Sequence, residues 1–295
     1  MVVGFGFRQL DSLGRHTIFP CVDRVPALYR IASRLESPVQ VWHNVAMEAG
    51  LYLVGTPIGH LGDITLRALE TLKAANTIVA EDTRQTQKLL ARYEIRTPLL
   101  SCHKFNEAAR VDLILEKIRA GQAVALVTDA GMPAVSDPGS RLVAAVRAAG
   151  QRITVIPGPC AVTSAIALSG FGGNGFLFEG FLTRASNARK RRLRELAVGD
   201  RPVVLFESPY RLLKLLGEMD EALHDRTLFV GRELTKHFEE CLLGTPLELI
   251  AKFQGRAVKG ELVLVIPPPT RAERQQMAED PEVLSVGSEA GADGN

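Results

Sequence analysis

The stretch that decides the fold is Ala123-Val124-Ala125-Leu126-Val127-Thr128-Asp129-Ala130-Gly131-Met132-Pro133-Ala134-Val135-Ser136-Asp137-Pro138-Gly139. Residues 123–127 make an apolar run of strand length, and a helical pattern over 140–149 follows. Between them stand two Gly, two Pro and two Asp. A rigid, acidic loop between strand and helix is where an open α/β sheet holds a ligand. The same residues also suit a plain connection, so the loop alone leaves both readings open. Asp137, just ahead of the helix, also fits as its cap.

The alternation recurs on both sides. Upstream, strands at 51–54, 77–80 and 99–102 alternate with helices at 65–74, 83–93 and 106–120. Asn106 reads as the N-cap of the third helix and Gly121 as its C′ residue. Downstream, a strand at 152–156 feeds an Ala-rich helix at 161–168. Repeated strand–helix alternation predicts a parallel sheet with helices on its faces. Gly170-Phe171-Gly172-Gly173-Asn174-Gly175 matches G-x-G-x-x-G, but a helix precedes it and a strand follows. A dinucleotide loop needs the reverse order, so this segment reads as a hinge. Beyond it, strands at 176–178, 203–206, 227–231, 239–244 and 261–266 and helices at 210–223 and 246–253 predict a mixed sheet, because no helix separates 227–231 from 239–244.

The predicted fold class is therefore α/β, with two α/β domains: a mainly parallel N-terminal sheet over 47–169 and a mixed C-terminal sheet over 170–268. Residues 1–46 carry neither strand nor helix periodicity and read as a mobile or spurious leader, with Met47 a candidate start. Residues 269–295 read as a flexible acidic tail, disordered from about Gln275.

Composition narrows the classes. The chain has 295 residues, 46% hydrophobic and 23% charged, with a formal net charge of only +2. No global field points to nucleic acid, so any basic site is local. The cysteines, Cys21, Cys102, Cys160 and Cys241, form no C-x-x-C, which suits a reducing, cytoplasmic setting. No run approaches the roughly 20 apolar residues of a membrane span. No H-x-x-x-H, Walker loop or G-x-S-x-G is present, and no metal site is read.

In a parallel sheet the loops 55–63, 81–84, 129–139, 157–160 and 207–209 would converge on the carboxyl edge. They carry Asp63, Glu81, Asp82, Asp129, Asp137 and Glu207. That acidity suits a ligand with hydroxyls, an amine or a positive centre, and repels a polyphosphate. One basic run, Arg184, Arg189, Lys190, Arg191, Arg192 and Arg194, reads either as a solvated helix or as a phosphate-binding patch.

The chain resembles the ribosomal RNA small subunit methyltransferase I family of the tetrapyrrole-methylase superfamily. The resemblance rests on Thr56-Pro57-Ile58-Gly59, Leu61-Gly62-Asp63, Glu81-Asp82-Thr83-Arg84, Asp129-Ala130-Gly131, Ser136-Asp137-Pro138-Gly139 and Pro157-Gly158-Pro159. It continues through Phe178-Glu179-Gly180-Phe181, Glu207-Ser208-Pro209, Arg232-Glu233-Leu234-Thr235-Lys236 and Gly260-Glu261-Leu262, in family order over about 50–268.

It implies S-adenosylmethionine bound between two domains, methyl transfer to the ribose 2′-hydroxyl of a cytidine in 16S ribosomal RNA of the small subunit, and a homodimer. Pro57, Asp129, Met132, Cys160 and Ala161 would line the cofactor pocket. Glu81, Asp82 and Arg84 are the catalytic candidates, and the Arg184–Arg194 run would grip RNA. His60, Thr128, Met132, Cys160 and Tyr210 depart from the family's usual Asn, Ser, Thr, Ser and His. The rival functions are a methyltransferase of a small tetrapyrrole-like substrate and a non-catalytic RNA-binding assembly protein.

Overall fold

The computed structural model describes residues 9–10, 16–17, 47–103, 106–223 and 225–279. The chain divides into two compact units, 1–46 and 47–295. In the first, Gln9–Leu10 pairs antiparallel with His16–Thr17. The rest of the expected leader, and positions 280–295 of the expected tail, lie outside the described residues.

The second unit opens with β1 (Gly50–Val54), α1 (Leu66–Ala74), β2 (Thr77–Ala80), α2 (Thr83–Arg92), β3 (Leu99–Ser101), α3 (Glu107–Arg119), β4 (Ala123–Val127), α4 (Ser140–Ala148), β5 (Ile153–Ile156) and α5 (Ala161–Ser169). These five strands form one sheet in the order β3-β2-β4-β1-β5, every pairing parallel. All five residues of β4 are buried, as a central strand covered on both faces requires. Its side chains alternate between two cores. Ala125 and Val127 join Ala68 and Leu72 of α1 and Leu89 and Leu90 of α2 on one face. Val124 and Leu126 meet Ile114 and Ile118 of α3 and Leu142 and Val146 of α4 on the other.

The chain continues through β6 (Leu177–Phe181), α6 (Ser186–Ala197), β7 (Val203–Glu207), α7 (Leu212–Leu223), β8 (Leu228–Arg232), β9 (Glu240–Gly244), α8 (Pro246–Phe253), β10 (Leu262–Ile266) and α9 (Arg271–Glu279). The second sheet has the order β9-β8-β10-β7-β6 and is mixed: β6 and β7 are parallel, the other pairs antiparallel. The β8–β9 pairing is the antiparallel one expected from the missing helix. Helix α8 starts with a full capping box between Thr245 and Glu248 and Pro246 in its first turn.

α6, α7 and α8 cover one face of this sheet. Its other face packs Val204, Phe229, Val263 and Val265 against Ile58 of the β1 loop and Val162 and Ala165 of α5. This shared core holds the carboxyl edge of the first sheet against the second.

Three local expectations change. Asn106 does cap α3 by position, but its side chain accepts from His103 N–H at 2.7 Å rather than from the helix. Asp137 does not cap α4. Glu107 does so from α3: its Oε1 accepts from the N–H groups of Gly139, Arg141 and Leu142 at 3.1, 3.1 and 3.2 Å. The flexible tail expected from 269 starts instead as α9, whose Glu273 pairs with Arg226 at 3.1 Å.

Candidate active site

Four βα loops meet at the carboxyl edge of the first sheet. The β1 and β4 loops are pinned together by an antiparallel bridge. Thr56 N–H donates to Gly131 O at 2.9 Å, Gly131 N–H to Thr56 O at 3.1 Å, and the Thr56 hydroxyl to Thr128 O at 3.1 Å. The β1 and β5 loops touch backbone to backbone. A Cβ at Gly55 would stand 2.7 Å from Gly158 Cα, so this contact needs glycine.

The second sheet closes the site from the far side. His60 N–H donates to the Thr235 hydroxyl at 3.0 Å. Gly180, at φ +65°, faces Ser136, whose Oγ would lie 2.8 Å from any Cβ placed there. Ala134 and Ser136 on one side, and Glu233 and Thr235 on the other, hold positive φ without being glycine. Strain of this kind concentrates where a structure over-determines its backbone for a site.

Between these walls lies a cavity of ≈ 310 Å³. Its acidic part comprises Glu81, Asp129, Asp137 and Glu261; its apolar walls include Ile58, Met132, Val135, Leu234 and Val263. Burial pushes all three carboxyls of the first sheet upward, Asp137 to about 6. Thr128 joins two of them: its Oγ1 lies 2.9 Å from Glu81 Oε2 and 2.9 Å from Asp137 Oδ2. A hydroxyl has one proton to give. Both contacts are hydrogen bonds only when one of the two carboxyls is protonated and donates to the Thr128 oxygen. Thr128 therefore links the two carboxyls, and the titration of each depends on the other. Along the same wall, α5 begins at Cys160 with no side-chain cap, leaving first-turn N–H groups available beside Ala161.

The sequence-predicted residues divide. Asp129, Met132, Cys160 and Ala161 line the cavity, and so does Glu81. Pro57 is buried behind the wall and does not line it. Asp82 and Arg84 are also outside the lining. Asp82 caps α2 by accepting from Arg84 N–H at 2.9 Å, and its other oxygen binds the Arg84 guanidinium at 2.7 Å. That partner holds the Asp82 carboxyl down at about 2, so it is a poor proton acceptor. Asp63 lies in a short 3-10 turn (Leu61–Asp63), and Glu207 ends β7 in the second sheet; neither reaches the cavity. Glu261, Leu262 and Val263, which do, lie more than 120 positions after Asp137 on the second sheet, a distance no local pattern bridges.

The basic run is largely neutralised. Arg189 is 2% exposed, with Nε 2.5 Å from Glu218 Oε2 and NH1 donating to Thr183 O and Arg184 O. Its reading as an RNA contact is therefore corrected: the guanidinium is buried and held by Glu218 and two backbone carbonyls. Lys190 pairs with Glu221 at 2.7 Å. Arg192 pairs with Glu179 and with Glu195, and Arg191 lies 3.9 Å from Glu195. Arg184 and Arg194 are exposed and have no acidic partner among the described residues. A second set was missed. On α2, Lys88 and Arg92 follow Arg84 at four-residue steps on the face opposite buried Thr86, Leu89 and Leu90. The signal was the spacing, diluted by intervening Gln and Thr.

Solved corrin and porphyrin methylases share this fold of a parallel sheet joined to a mixed sheet. A cobalt precorrin-4 methyltransferase structure superposes with a TM-score of 0.56 at 22% identity, covering 73% of this chain and 93% of that one. A uroporphyrin-III-C-methyltransferase from Thermus thermophilus does so at 0.54 and 22%, covering 74% and 94%. Residues 50–250 match the family model described as Tetrapyrrole (Corrin/Porphyrin) Methylases.

The nearer likeness is in sequence. "Ribosomal RNA small subunit methyltransferase I" of Thermotoga maritima is 47% identical over 216 residues, 73% of this chain and 97% of that protein. The Synechocystis protein of the same name is 45% identical over 231 residues, 78% of this chain and 83% of that protein. The Bacillus subtilis protein of that name is 43% identical, covering 73% and 74%. The chain belongs to the tetrapyrrole methylase family and, within it, to the ribosomal RNA small subunit methyltransferase I family.

Proposed function

We propose that this chain methylates the ribose 2′-hydroxyl of a cytidine in 16S ribosomal RNA, using S-adenosylmethionine. The single observation that carries the reading is the acid-lined cavity between the two sheets, in a chain 47% identical to a ribosomal RNA methyltransferase.

The residues present fit the cofactor. Its amine and sulfonium are cationic, and Glu81, Asp129, Asp137 and Glu261 line the cavity. Its carboxylate suits the uncapped start of α5 at Cys160 and Ala161. Its adenine suits the apolar wall at Ile58, Met132 and Leu234. When bound, it supplies an electrophilic methyl group on a sulfonium sulfur. The chain's own work is placement: holding an RNA hydroxyl in line with that methyl supplies on the order of 7–11 kcal/mol of rate acceleration.

Among the catalytic candidates Glu81 is the proton acceptor for that hydroxyl. It lines the cavity, burial pushes its carboxyl upward, and the Thr128 hydroxyl holds it at 2.9 Å. Asp82 and Arg84 act on the rim, where Asp82 N–H donates to Asp129 Oδ1 at 3.1 Å and so sets the wall. RNA is drawn in by exposed cations without acidic partners among the described residues: Arg184 just ahead of α6, Arg194 on α6, and Lys88 and Arg92 on α2.

The two sheets are read as two domains, 47–169 and 170–268, with the cofactor between them. A homodimer is supported by exposed Val155 and Leu177 on the edge strands β5 and β6 and exposed Leu168 on α5. Among the described residues no helix is long and apolar enough to cross a membrane, and the proposed RNA substrate places the protein in the cytoplasm.

The test is transfer of labelled methyl from S-adenosylmethionine to 16S RNA in small ribosomal subunits. Cofactor binding in calorimetry without any RNA label would replace the proposed reaction with a binding role.

A further inference from the structure

A groove adjoins the cavity, and of its lining only Arg184 enters the reaction just described. Phe181 lines both. The groove runs from there past Arg184 to Tyr210, over a floor that includes Glu207. Two features set it apart from ordinary surface. Tyr210 is 95% exposed and Phe181 59%, two large rings facing solvent in one groove. Arg184 stands beside them without an acidic partner among the described residues. Glu207, only 3% exposed, accepts from Ser208 N–H at 2.6 Å through Oε1, while its Oε2 has no hydrogen bond. That oxygen is ion-paired with the Arg211 guanidinium at 3.1 Å, and the same nitrogen also donates to Leu182 O at 2.9 Å.

We propose that this groove seats an unpaired nucleotide of the substrate RNA, flanking the one in the cleft. Its base stacks on Tyr210 and Phe181, and its phosphate meets Arg184. Charge complementarity and continuity with the cleft argue for this occupant. Flat rings beside a cation are the chemistry of single-stranded nucleic acid sites, where stacking tolerates any base and needs no hydroxyl from the tyrosine. The inference rests on RNA being the substrate.

The test uses the full chain and an oligonucleotide matching the methylated region, with 2-aminopurine placed next to the target. Stacking quenches this probe, so binding is read without turnover. Wild-type protein and Tyr210→Phe should quench it alike. Tyr210→Ala should lose the quench and raise the KM for RNA on the order of tenfold, with kcat and the S-adenosylmethionine Kd within about twofold. Arg184→Ala should lower the salt slope of RNA binding by about 0.7. Methyl transfer by wild type with unchanged quench and KM in Tyr210→Ala would overturn the groove and leave the reaction standing. A Tyr210-dependent quench without any methyl transfer would leave the groove standing and remove the reaction.

Discussion

Replacing Asp137 with Asn should make the protein more stable at neutral pH. Burial raises this carboxyl from 3.8 to about 6, against the pull of the Thr128 hydroxyl. A carboxyl raised in the folded state binds its proton more tightly there than in the unfolded chain. Unfolding free energy therefore falls as pH climbs from about 4 to about 6, and the loss is complete above that. A shift of about two units sets a ceiling of about 3 kcal/mol, at 1.36 kcal/mol per unit. Asp137 is only half-buried, and solvent screening brings the figure to about 1–2 kcal/mol.

Asparagine keeps the shape and can donate its amide to Thr128 as the protonated acid does. For a chain of this size Asp137→Asn should then raise Tm by roughly 2–8 °C at pH near 7.5. Near pH 4.5, where the native carboxyl already holds its proton, the gain should shrink to about a third. Thermal melts at the two pH values read both quantities. An equal gain at both, or none at neutral pH, would refute the raised Asp137 carboxyl. The same substitution should weaken S-adenosylmethionine binding, as expected where a site trades stability for function.

Glu107→Ala strips three N–H groups at the start of α4 of their acceptor and should cost on the order of 2–4 kcal/mol by chemical denaturation; Glu107→Gln, which keeps an acceptor, should cost about 1 kcal/mol or less. Arg189→Ala leaves Glu218 buried and unpaired and should destabilise by about 3–5 kcal/mol, whereas Arg194→Ala should leave stability unchanged and weaken only RNA binding in filter assays. Glu81→Gln should lower kcat for methyl transfer about 100-fold or more with the S-adenosylmethionine Kd within a few-fold, while Asp82→Ala should turn over near the wild-type rate.

How much of this was legible in the chain depends on the range of the interaction. The parallel sheet was, because β4 and its neighbours announce themselves as apolar runs separated by helix-length patterns. The glycine-rich 170–175 segment was too: order alone set it aside, and Gly170 proves to be the left-handed cap that ends α5. Asp129 and Glu81 could be placed because βα loops of a parallel sheet share an edge.

What failed came mostly from far along the chain. The run from Arg184 to Arg194 looked uncompensated because Glu179, Glu218 and Glu221 come from β6 and α7. Asp137 looked like a cap because the true acceptor, Glu107, sits on another helix, 32 residues before Gly139. Pro57 shares a motif with Ile58, yet only Ile58 faces the cavity.

The central claim is that the cavity between the two sheets carries methyl transfer to RNA. Small ribosomal subunits incubated with the protein and methyl-labelled S-adenosylmethionine, followed by alkaline mapping of ribose-methylated positions, test it most directly. The expected result is one new alkali-resistant linkage at a cytidine of 16S RNA, lost with Glu81→Gln and retained with Asp82→Ala. Label on a base rather than a ribose, or an undiminished signal with Glu81→Gln, would contradict it.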